Sequence, residues 1–194
     1  MARKALKERM TKETNIRAEI NLDGSGKSQI MSGIGFFNHM LELLSKHSGI
    51  DIMIEANGDI DVDYHHTVED IGIVLGSAFR KALGDKKGIE RYGDILLPMD
   101  ETLIQAAIDL SDRAYLVLNV PDAFQGDIGK FDCELVREFF TAFTNHLAAN
   151  IHINVLYGKN KHHIAEGIFK ALARTLRKAI KITGKDIPST KGVL

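Results

Sequence analysis

The sequence predicts an α+β fold that is built from two similar halves, and two observations lead to this prediction. Segments with alternating apolar residues, typical of half-buried strands, are interleaved with segments whose apolar residues recur at helical spacing. In addition, four features of the sequence occur twice and in the same order, which indicates an internal duplication. The chain has 194 residues, of which 44% are hydrophobic, so it can bury a sizeable core.

The first half is predicted to contain two strands and two helices. Apolar residues alternate with other residues over 13–22, which predicts a strand, and a second alternating segment over 50–54 predicts another. Apolar residues at helical spacing predict helices over 36–47 and 67–83. The expected order is therefore strand, helix, strand, helix.

The same order begins again after a polar, charged loop at 85–88. The second half is predicted to contain strands over 103–110 and 151–155 and helices over 134–147 and 163–182. We therefore expect one compact unit that consists of a first repeat (1–88), a second repeat (89–185) and a tail of low periodicity (186–194).

The two halves also match in their residues. The matching pairs are Glu13-Thr14-x-Ile16 with Glu101-Thr102-x-Ile104, Phe36-Phe37 with Phe139-Phe140, Ile50-Asp51-Ile52 with Ile151-His152-Ile153, and His65-His66-x-x-Glu69 with His162-His163-x-x-Glu166. Alternating strands can look alike by chance, which explains one match but not four in the same order. The pattern favours a duplicated fold.

Charge and composition exclude several classes of protein. Basic and acidic residues number 25 and 26, so a net charge of −1 gives no global attraction to nucleic acid or to a membrane surface. No apolar run reaches the roughly 18 residues of a membrane span, and the N-terminal segment lacks the apolar core of a signal peptide. The one cysteine, Cys133, allows no disulfide framework. We therefore expect a cytoplasmic protein.

Four of the eight histidines form two adjacent pairs, each followed by a glutamate at a predicted loop-to-helix junction. One helical turn then offers two imidazoles and a carboxylate, a set that suits Mn²⁺, Fe²⁺ or Zn²⁺ better than Ca²⁺ or Mg²⁺. Adjacent side chains diverge by about 100° on a helix, so one pair cannot easily chelate one ion. The repeat therefore predicts two ions, each bound by one imidazole of each pair. A single pair would be more typical of a solvated helix start, and the His-Glu-x-x-His spacing of metalloproteases is absent.

Longer motifs resemble the imidazoleglycerol-phosphate dehydratase family. They are Gly35-Phe36-Phe37-Asn38-His39-Met40, the segments 58–70 and 157–166, Pro98-Met99-Asp100-Glu101 and the terminal segment 187–194. The resemblance covers the chain from about Arg9 onward. It implies two similar halves, each a four-stranded sheet with two helices, and the helices packed between the two sheets. It also implies a homo-oligomer, a 24-mer with active sites at subunit interfaces.

The resemblance implies a hydro-lyase of L-histidine biosynthesis (EC 4.2.1.19) that converts D-erythro-imidazole glycerol phosphate to imidazole acetol phosphate. Two Mn²⁺ ions at each active site would bind the substrate ring, which would pass through an imidazolate and a diazafulvene. Glu13 is then expected to transfer the proton. Its counterpart Glu101 has the same local context, so the residues alone do not decide which copy is catalytic.

The resemblance also implies a set of ligands. One ion is expected to bind His65, His162 and Glu166, and the other is expected to bind His39, His66, Glu69 and His163. Glu138 stands where many relatives have a histidine ligand, and it is expected to bind the first ion because a carboxylate can replace imidazole on Mn²⁺. Apart from Glu138, these ligands and Glu13 are the predicted catalytic residues.

The predicted substrate contacts are Glu13, His47, Arg91, Arg113, Lys170, Ser189 and Lys191. Arginine, lysine and serine supply the charged and hydroxyl donors that a phosphate needs. If the tail is extended, Ser189 and Lys191 point to the same side and reach one phosphate together.

Two other functions stay open on the residues alone. A binuclear metal hydrolase would share the ions but would use a bridging hydroxide as the nucleophile and release phosphate, which a lyase would not do. A non-catalytic shell held together by metal would keep its assembly without turnover.

Overall fold

The computed structural model describes residues 3–192. Its four helices are α1 (Gly35–Ser48), α2 (His65–Leu83), α3 (Glu134–Leu147) and α4 (Lys161–Ala179). Its strands are β1 (Lys4–Met10), β2 (Thr14–Asn21), β3 (Ser28–Met31), β4 (Asp51–Gly58), β5 (Tyr92–Met99), β6 (Thr102–Asp109), β7 (Tyr115–Asn119), β8 (Asp127–Ile128), β9 (Phe131–Asp132) and β10 (Asn150–Tyr157). All four predicted helices and all four predicted strands are present.

Two four-stranded sheets share one topology. The strand order is β1-β2-β4-β3 in the first sheet and β5-β6-β10-β7 in the second. In each sheet one edge strand is parallel to its neighbour, β3 to β4 and β7 to β10, because a helix connects the two. The other pairs are antiparallel. This repetition confirms the duplicated α+β fold.

The helices lie between the two sheets. Helix α2 packs on β1 and β2, α4 packs on β5 and β6, and the pairs α2–α3 and α1–α4 join the halves. The approach of α2 to α3 is close: a Cβ added at Gly76 would lie 2.5 Å from the Phe143 carbonyl oxygen. Phe37, Phe139 and Phe169 are fully buried. Phe139 stacks on Phe169, and Phe37 packs edge-on against both, so the halves share one core.

Both histidine pairs lie in the first turn of a helix, as predicted. Asn160 caps α4, and its side-chain oxygen accepts the N–H groups of His162 and His163. At the start of α2, Asp63 accepts the N–H of His65 at 2.8 Å. These capping hydrogen bonds therefore fix the position of each histidine pair at the start of its helix.

Helix α4 ends earlier than the predicted residue 182. Beyond Ala179 the chain pairs with the segment before β5: Glu90 N–H donates to the Lys181 carbonyl at 2.8 Å, and Thr183 N–H donates to the Gly88 carbonyl at 2.8 Å. These contacts compete with the last helical hydrogen bonds. Of the helices within residues 3–192, none is both long enough and apolar enough to cross a membrane.

Candidate active site

A cluster of potential metal ligands joins the two halves through α1 and α4. His39 Nε2 lies 3.8 Å from Glu166 Oε2, and His162 Nε2 lies 3.2 Å from the same oxygen. One ligand atom from each of the three residues lies within 4.8 Å of the other two. The carboxylate is buried beneath two half-exposed imidazoles, so this site opens to the surface.

Positively charged side chains lie beside this cluster. Lys170, one turn beyond Glu166 on α4, forms an ion pair with Glu166 Oε1. Burial acts to raise the pKa of Glu166, but the Lys170 ammonium and the two imidazoles outweigh it and lower the pKa. Burial lowers the pKa of His47, and the Lys170 and Arg174 cations lower it further. At neutral pH the carboxylate is therefore ionised and His47 is neutral.

The first histidine pair lies at the ends of β2 and β4. His65 Nε2 is 3.8 Å from Glu69 Oε2. His66 Nδ1 is 3.0 Å from Asp59 Oδ2 and 3.9 Å from Glu13 Oε2. The hydrogen bond with Asp59 raises the pKa of His66. The structure thus brings Glu13 close to the pair but leaves its side chain 54% exposed.

The second pair has a different arrangement. His163 Nδ1 is 2.7 Å from Glu101 Oε2, and this contact raises the pKa of His163. Glu101 Oε1 also accepts the N–H groups of Asn160 at 2.8 Å and Lys159 at 3.3 Å. The imidazole, followed by these backbone donors, lowers the pKa of Glu101 to about 2. Both carboxylate oxygens of Glu101 therefore take part in hydrogen bonds, whereas the carboxylate of its counterpart Glu13 makes none with the described residues.

Glu138 lies where a contribution to the first histidine pair is feasible. Glu138 and His65 line the same open cavity of about 470 Å³ between α2 and α3. Its other lining residues are Ile60, Asp63, Tyr64, Lys130, Asp132, Glu134 and Leu135. The cavity is rich in carboxylates, which suits a cation.

The predicted phosphate contacts lie together in the second half. Arg91, Arg113, Ser189 and Lys191 line one open pocket of about 780 Å³. Asp109 accepts hydrogen bonds from Arg91 Nε at 2.7 Å and Nη2 at 3.1 Å. This bidentate pair fixes the guanidinium plane at the pocket.

Arg91 also binds the tail. Its Nη1 donates to the Pro188 carbonyl at 2.8 Å. The backbone of Arg91 has a φ of 73°, a left-handed conformation that is unusual for a residue with a Cβ. Its N–H donates to the Ala179 carbonyl at 2.9 Å, and this contact helps to hold the conformation.

The tail forms a turn and is not extended, so the condition under which Ser189 and Lys191 would point to the same side is not met. Ser189 N–H donates to the Ile187 carbonyl at 2.7 Å, and Ser189 Oγ accepts the N–H of Lys191 at 3.2 Å. The turn satisfies backbone groups that an extended tail would leave to water. The terminal residues 193 and 194 lie outside the described part of the chain.

The ligand grouping that the resemblance implies differs from the contacts within this chain. It assigns His39 to the ion of His66 and His163, and it assigns His162 and Glu166 to the other ion. In the structure His39 lies beside His162 and Glu166, because α1 packs against α4. Within one chain, the structure therefore brings together residues that the resemblance assigns to two different ions.

Comparison with known proteins gives a consistent result. The profile of the family described as imidazoleglycerol-phosphate dehydratase matches residues 32–176. The chain belongs to the imidazoleglycerol-phosphate dehydratase family. It is 55% identical to the imidazoleglycerol-phosphate dehydratase of Azorhizobium caulinodans, over 96% of this chain and 95% of the relative. It is 54% identical to that of Citrifermentans bemidjiense, over the full length of both chains.

Solved structures support the same assignment. The imidazoleglycerol-phosphate dehydratase from Staphylococcus aureus superposes with a TM-score of 0.84 at 41% identity, covering 93% of this chain and 99% of that chain. The Pyrococcus furiosus structure gives a TM-score of 0.83 at 37% identity, covering 96% and 99%. As a member of this family the chain is a hydro-lyase (EC 4.2.1.19).

Sequence reasoning missed the supporting roles of three carboxylates that hold predicted site residues. Asp59 and Glu101 each bind an imidazole, and Asp109 holds Arg91. Alignment of the repeats identifies Glu101 as the counterpart of Glu13, but it gives no sign that Glu101 binds an imidazole. For Asp109 the repeat offers no such signal, because its counterpart Asn21 has no carboxylate that could hold an arginine.

Proposed function

We propose that this hydro-lyase dehydrates imidazole glycerol phosphate to imidazole acetol phosphate in L-histidine biosynthesis, using two Mn²⁺ ions at each active site. The observation that carries the proposal is the convergence of His39, His162 and Glu166 from the two halves, with their ligand atoms within 4.8 Å. Imidazole nitrogen and carboxylate oxygen together are suitable ligands for Mn²⁺.

The available donors fit such an ion. His39, His162 and Glu166 would hold one ion, while His65, Glu69 and Glu138 are the candidates for the other within one chain. His66 and His163 would each add an imidazole. When bound, the ions would ease loss of the substrate's ring proton, the Lewis-acid chemistry that the imidazolate and diazafulvene route requires.

The chain's own residues account for the other tasks. Glu13 is exposed beside the first histidine pair, so its carboxylate can move a proton on the substrate's side chain. Arg91, Arg113, Ser189 and Lys191 would bind the phosphate, and Lys170 and His47, which lie near Glu166, would make further contacts with the substrate. A fixed guanidinium and flexible ammonium groups complement a dianionic phosphate.

We further propose that complete sites form only in a homo-oligomer, a 24-mer, with active sites at subunit interfaces. Among residues 3–192 the group of three or more clustered ligands includes no member of the first histidine motif. An ion that takes one imidazole from each motif would then need two copies of the chain. A second copy is the partner that this proposal requires.

We also propose that the protein is located in the cytoplasm, where thiols stay reduced. Cys133 is compatible with it, since the thiol is buried and burial raises its pKa to about 11. Such a thiol is poorly reactive and does not depend on a disulfide partner.

The deciding experiment is an assay of the full chain with imidazole glycerol phosphate. We expect formation of imidazole acetol phosphate with Mn²⁺, loss of turnover with a chelator, and no release of inorganic phosphate. Phosphate release would instead indicate a hydrolase. Absence of any turnover by protein with two bound Mn²⁺ per chain would contradict the proposed activity.

A further inference from the structure

The counterparts Glu13 and Glu101 have different partners. Glu101 Oε2 lies 2.7 Å from His163 Nδ1, a hydrogen-bond distance, whereas Glu13 Oε2 lies 3.9 Å from His66 Nδ1. In the first half the hydrogen bond to the imidazole comes from Asp59, whose Oδ2 is 3.0 Å from His66 Nδ1. Equivalent imidazoles are thus held by carboxylates from different positions.

The residues that follow β4 and β10 explain why different carboxylates hold the two imidazoles. Asp59 follows β4, and its N–H donates to the backbone carbonyl of Glu13 at 3.1 Å. This places the Asp59 carboxylate, which is 26% exposed, at hydrogen-bond distance from His66 Nδ1 and nearer to it than Glu13. Glu13 is therefore left without the imidazole as a partner.

After β10 the corresponding residue is Lys159, which has no carboxylate to offer. Its N–H and that of Asn160 donate to Glu101 Oε1, at 3.3 and 2.8 Å. These two donors turn the Glu101 side chain towards the start of α4. The other oxygen of Glu101 then reaches His163.

The contact determines which imidazole nitrogen stays available. An ionised carboxylate can only accept hydrogen bonds, so the nitrogen that faces it, Nδ1, must carry the proton. In a neutral imidazole the lone pair then resides on Nε2. For His163 the nearest other carboxylate, Asp100, lies 3.6 Å from Nε2 and is 70% exposed, which leaves Nε2 accessible.

We propose that Asp59 and Glu101 are equivalent positioning residues, each of which fixes one imidazole with Nε2 free for a cation, and that Asp59 thereby keeps Glu13 free for proton transfer. The inference rests on the proposed metal binding and on the proposed role of Glu13. It assigns the two copies of the repeated glutamate to different tasks, Glu13 to chemistry and Glu101 to support.

Mn²⁺ binding to the full chain tests the positioning role. We expect Asp59→Ala and Glu101→Ala each to weaken Mn²⁺ binding about 10- to 100-fold, as loss of such hydrogen bonds does in other metal sites. Binding is measured from the electron paramagnetic resonance signal of free Mn²⁺. Asp59→Asn and Glu101→Gln keep an acceptor oxygen and should lie between the alanine variants and the unmodified chain.

A matched control is Asp61→Ala. Asp61 lies on the same loop as Asp59, is exposed, and makes no hydrogen bond or ion pair among the described residues. It should leave Mn²⁺ affinity unchanged. Equal weakening by Asp61→Ala would show that general loss of negative charge, not positioning, sets the affinity.

The imidazole protons give a readout that a purely structural role would not move. In metal-free protein with ¹⁵N-labelled histidine, magic-angle-spinning NMR should show Nδ1–H forms for His66 and His163. Asp59→Ala combined with Glu13→Ala, so that Glu13 cannot replace Asp59, should remove the first and leave the second, and Glu101→Ala should do the reverse. Unchanged signals in both variants would overturn the proposal, even if Mn²⁺ affinity fell.

A double-mutant cycle tests the claim about Glu13. Once Asp59 is removed, Glu13 is the nearest carboxylate to His66 Nδ1, at 3.9 Å, and should replace Asp59 only in part. Glu13→Ala should therefore leave Mn²⁺ affinity unchanged in the unmodified chain but weaken it in the Asp59→Ala background. Additive effects would overturn this part.

The outcomes separate this inference from the proposed function. A chain that binds no Mn²⁺ would contradict the proposed function, and the NMR signals of the metal-free chain would still decide the positioning role. Mn²⁺ binding of equal affinity in the unmodified chain and both alanine variants would overturn the inference and leave the proposed function intact.

Discussion

Glu13 and Glu101 occupy equivalent positions in the two halves, and their neighbours separate the tasks that each can perform. Glu101 holds His163 and two backbone N–H groups, so a substrate would have to displace these contacts to reach it. Among residues 3–192, the only ion-pair partner within 4 Å of the Glu13 carboxylate is the His66 imidazole, at 3.9 Å. A general base must be within reach of the substrate and not already engaged.

Glutamine substitutions at Glu13 and at Glu101 should therefore change different properties of the protein. We expect Glu13→Gln to lower kcat about a hundredfold or more while Mn²⁺ content and substrate binding are kept. Glu101→Gln should be milder in kcat and should act mainly on Mn²⁺ affinity. Steady-state kinetics at saturating Mn²⁺ and a metal titration measure the two effects. A larger loss of kcat for Glu101→Gln would show that the other copy is the base.

Asp51 yields a prediction about pH. Its Oδ1 accepts the N–H groups of Ser25 at 2.8 Å and Lys27 at 3.0 Å, and these contacts lower its pKa. A depressed carboxyl pKa stabilises the fold above the unfolded value of about 3.9, and the contribution disappears as pH falls through the folded value. Asp51→Asn should thus unfold at lower urea concentration at pH 7, and the difference should shrink below about pH 4.

The exposed residue Asp61 again provides the control for Asp51. Asp61→Asn removes the same charge without removing a described hydrogen bond, so its urea midpoint should stay near that of the unmodified chain at all pH values. A difference between Asp51→Asn and the unmodified chain that does not shrink as pH falls from about 5 to about 3 would mean that the side chain acts through its shape and not through its charge.

At the scale of elements, α2 and α3 are held at a short distance by small residues. A Cβ at Gly76 would approach the Phe143 carbonyl oxygen to 2.5 Å, and one at Gly72 would approach the Phe139 carbonyl oxygen to 2.8 Å. Backbone atoms cannot move aside as a flexible side chain can. The two glycines therefore set the spacing between the halves.

Gly76→Ala should force α2 and α3 apart and destabilise the fold by about 1–3 kcal/mol. Gly35→Ala is the control, since a Cβ there meets nothing within 4 Å and alanine favours a helix. Thermal unfolding should show a lower midpoint for the first variant only. A midpoint for Gly76→Ala at or above that of the unmodified chain would contradict the close approach.

The tail is an element whose role depends on Arg91 and Lys191. Arg91 tethers the tail at Pro188, so the phosphate pocket has its arginine and tail parts together in one chain. Lys191→Ala should raise KM roughly ten- to a hundredfold, the value of a charge-assisted contact of about 1.5–3 kcal/mol. Metal content should not change.

Removal of 189–194 should raise KM as much as Lys191→Ala or more. Kinetics on the truncated chain and on Lys185→Ala, a control on an exposed lysine before the tail, provide the comparison. An unchanged KM after truncation would mean that the tail does not bind substrate.

For the whole molecule, the elements that could be predicted from the sequence are those with buried faces. The central strands β2, β4, β6 and β10 alternate clearly, as Ile16, Ala18 and Ile20 show, and each was expected. The edge strands β1, β3, β5 and β7 did not stand out in the periodicity. In β1 only Ala5 is buried, and in β3 only Ile30 is, so an edge strand is defined by its pairing more than by its side chains.

The candidate site was predictable as a set of residues but not as a geometry. The repeated histidine motifs identify ligand types, yet which imidazole approaches which carboxylate depends on how helices pack. The side-by-side placement of His39 and Glu166 follows from α1 packing against α4, a long-range contact without a local signal. The repeated motifs identify the ligands in the sequence, and the packing of the helices determines which of these ligands lie together.

The division of the ligands over the molecule leads to the last prediction, that the assembly depends on metal. His39, His162 and Glu166 gather within one chain, whereas the first motif, with His65 and His66, begins a different helix. If each ion takes ligands from both motifs, an ion also links two subunits. We expect a chelator to convert the oligomer to smaller species, as measured by light scattering after size-exclusion chromatography, and Mn²⁺ to restore it.

A variant separates this effect from a general action of the chelator. Glu166→Ala removes a ligand carboxylate and leaves the outer surfaces of both sheets unaltered, so it should weaken Mn²⁺-dependent assembly. Glu166→Ala also breaks the ion pair with Lys170. Lys170→Ala breaks the same ion pair but keeps the ligand carboxylate, so it is the matched control and should assemble with Mn²⁺. An oligomer whose size is unchanged after verified removal of metal would show that apolar contacts between subunits hold it together without the ions.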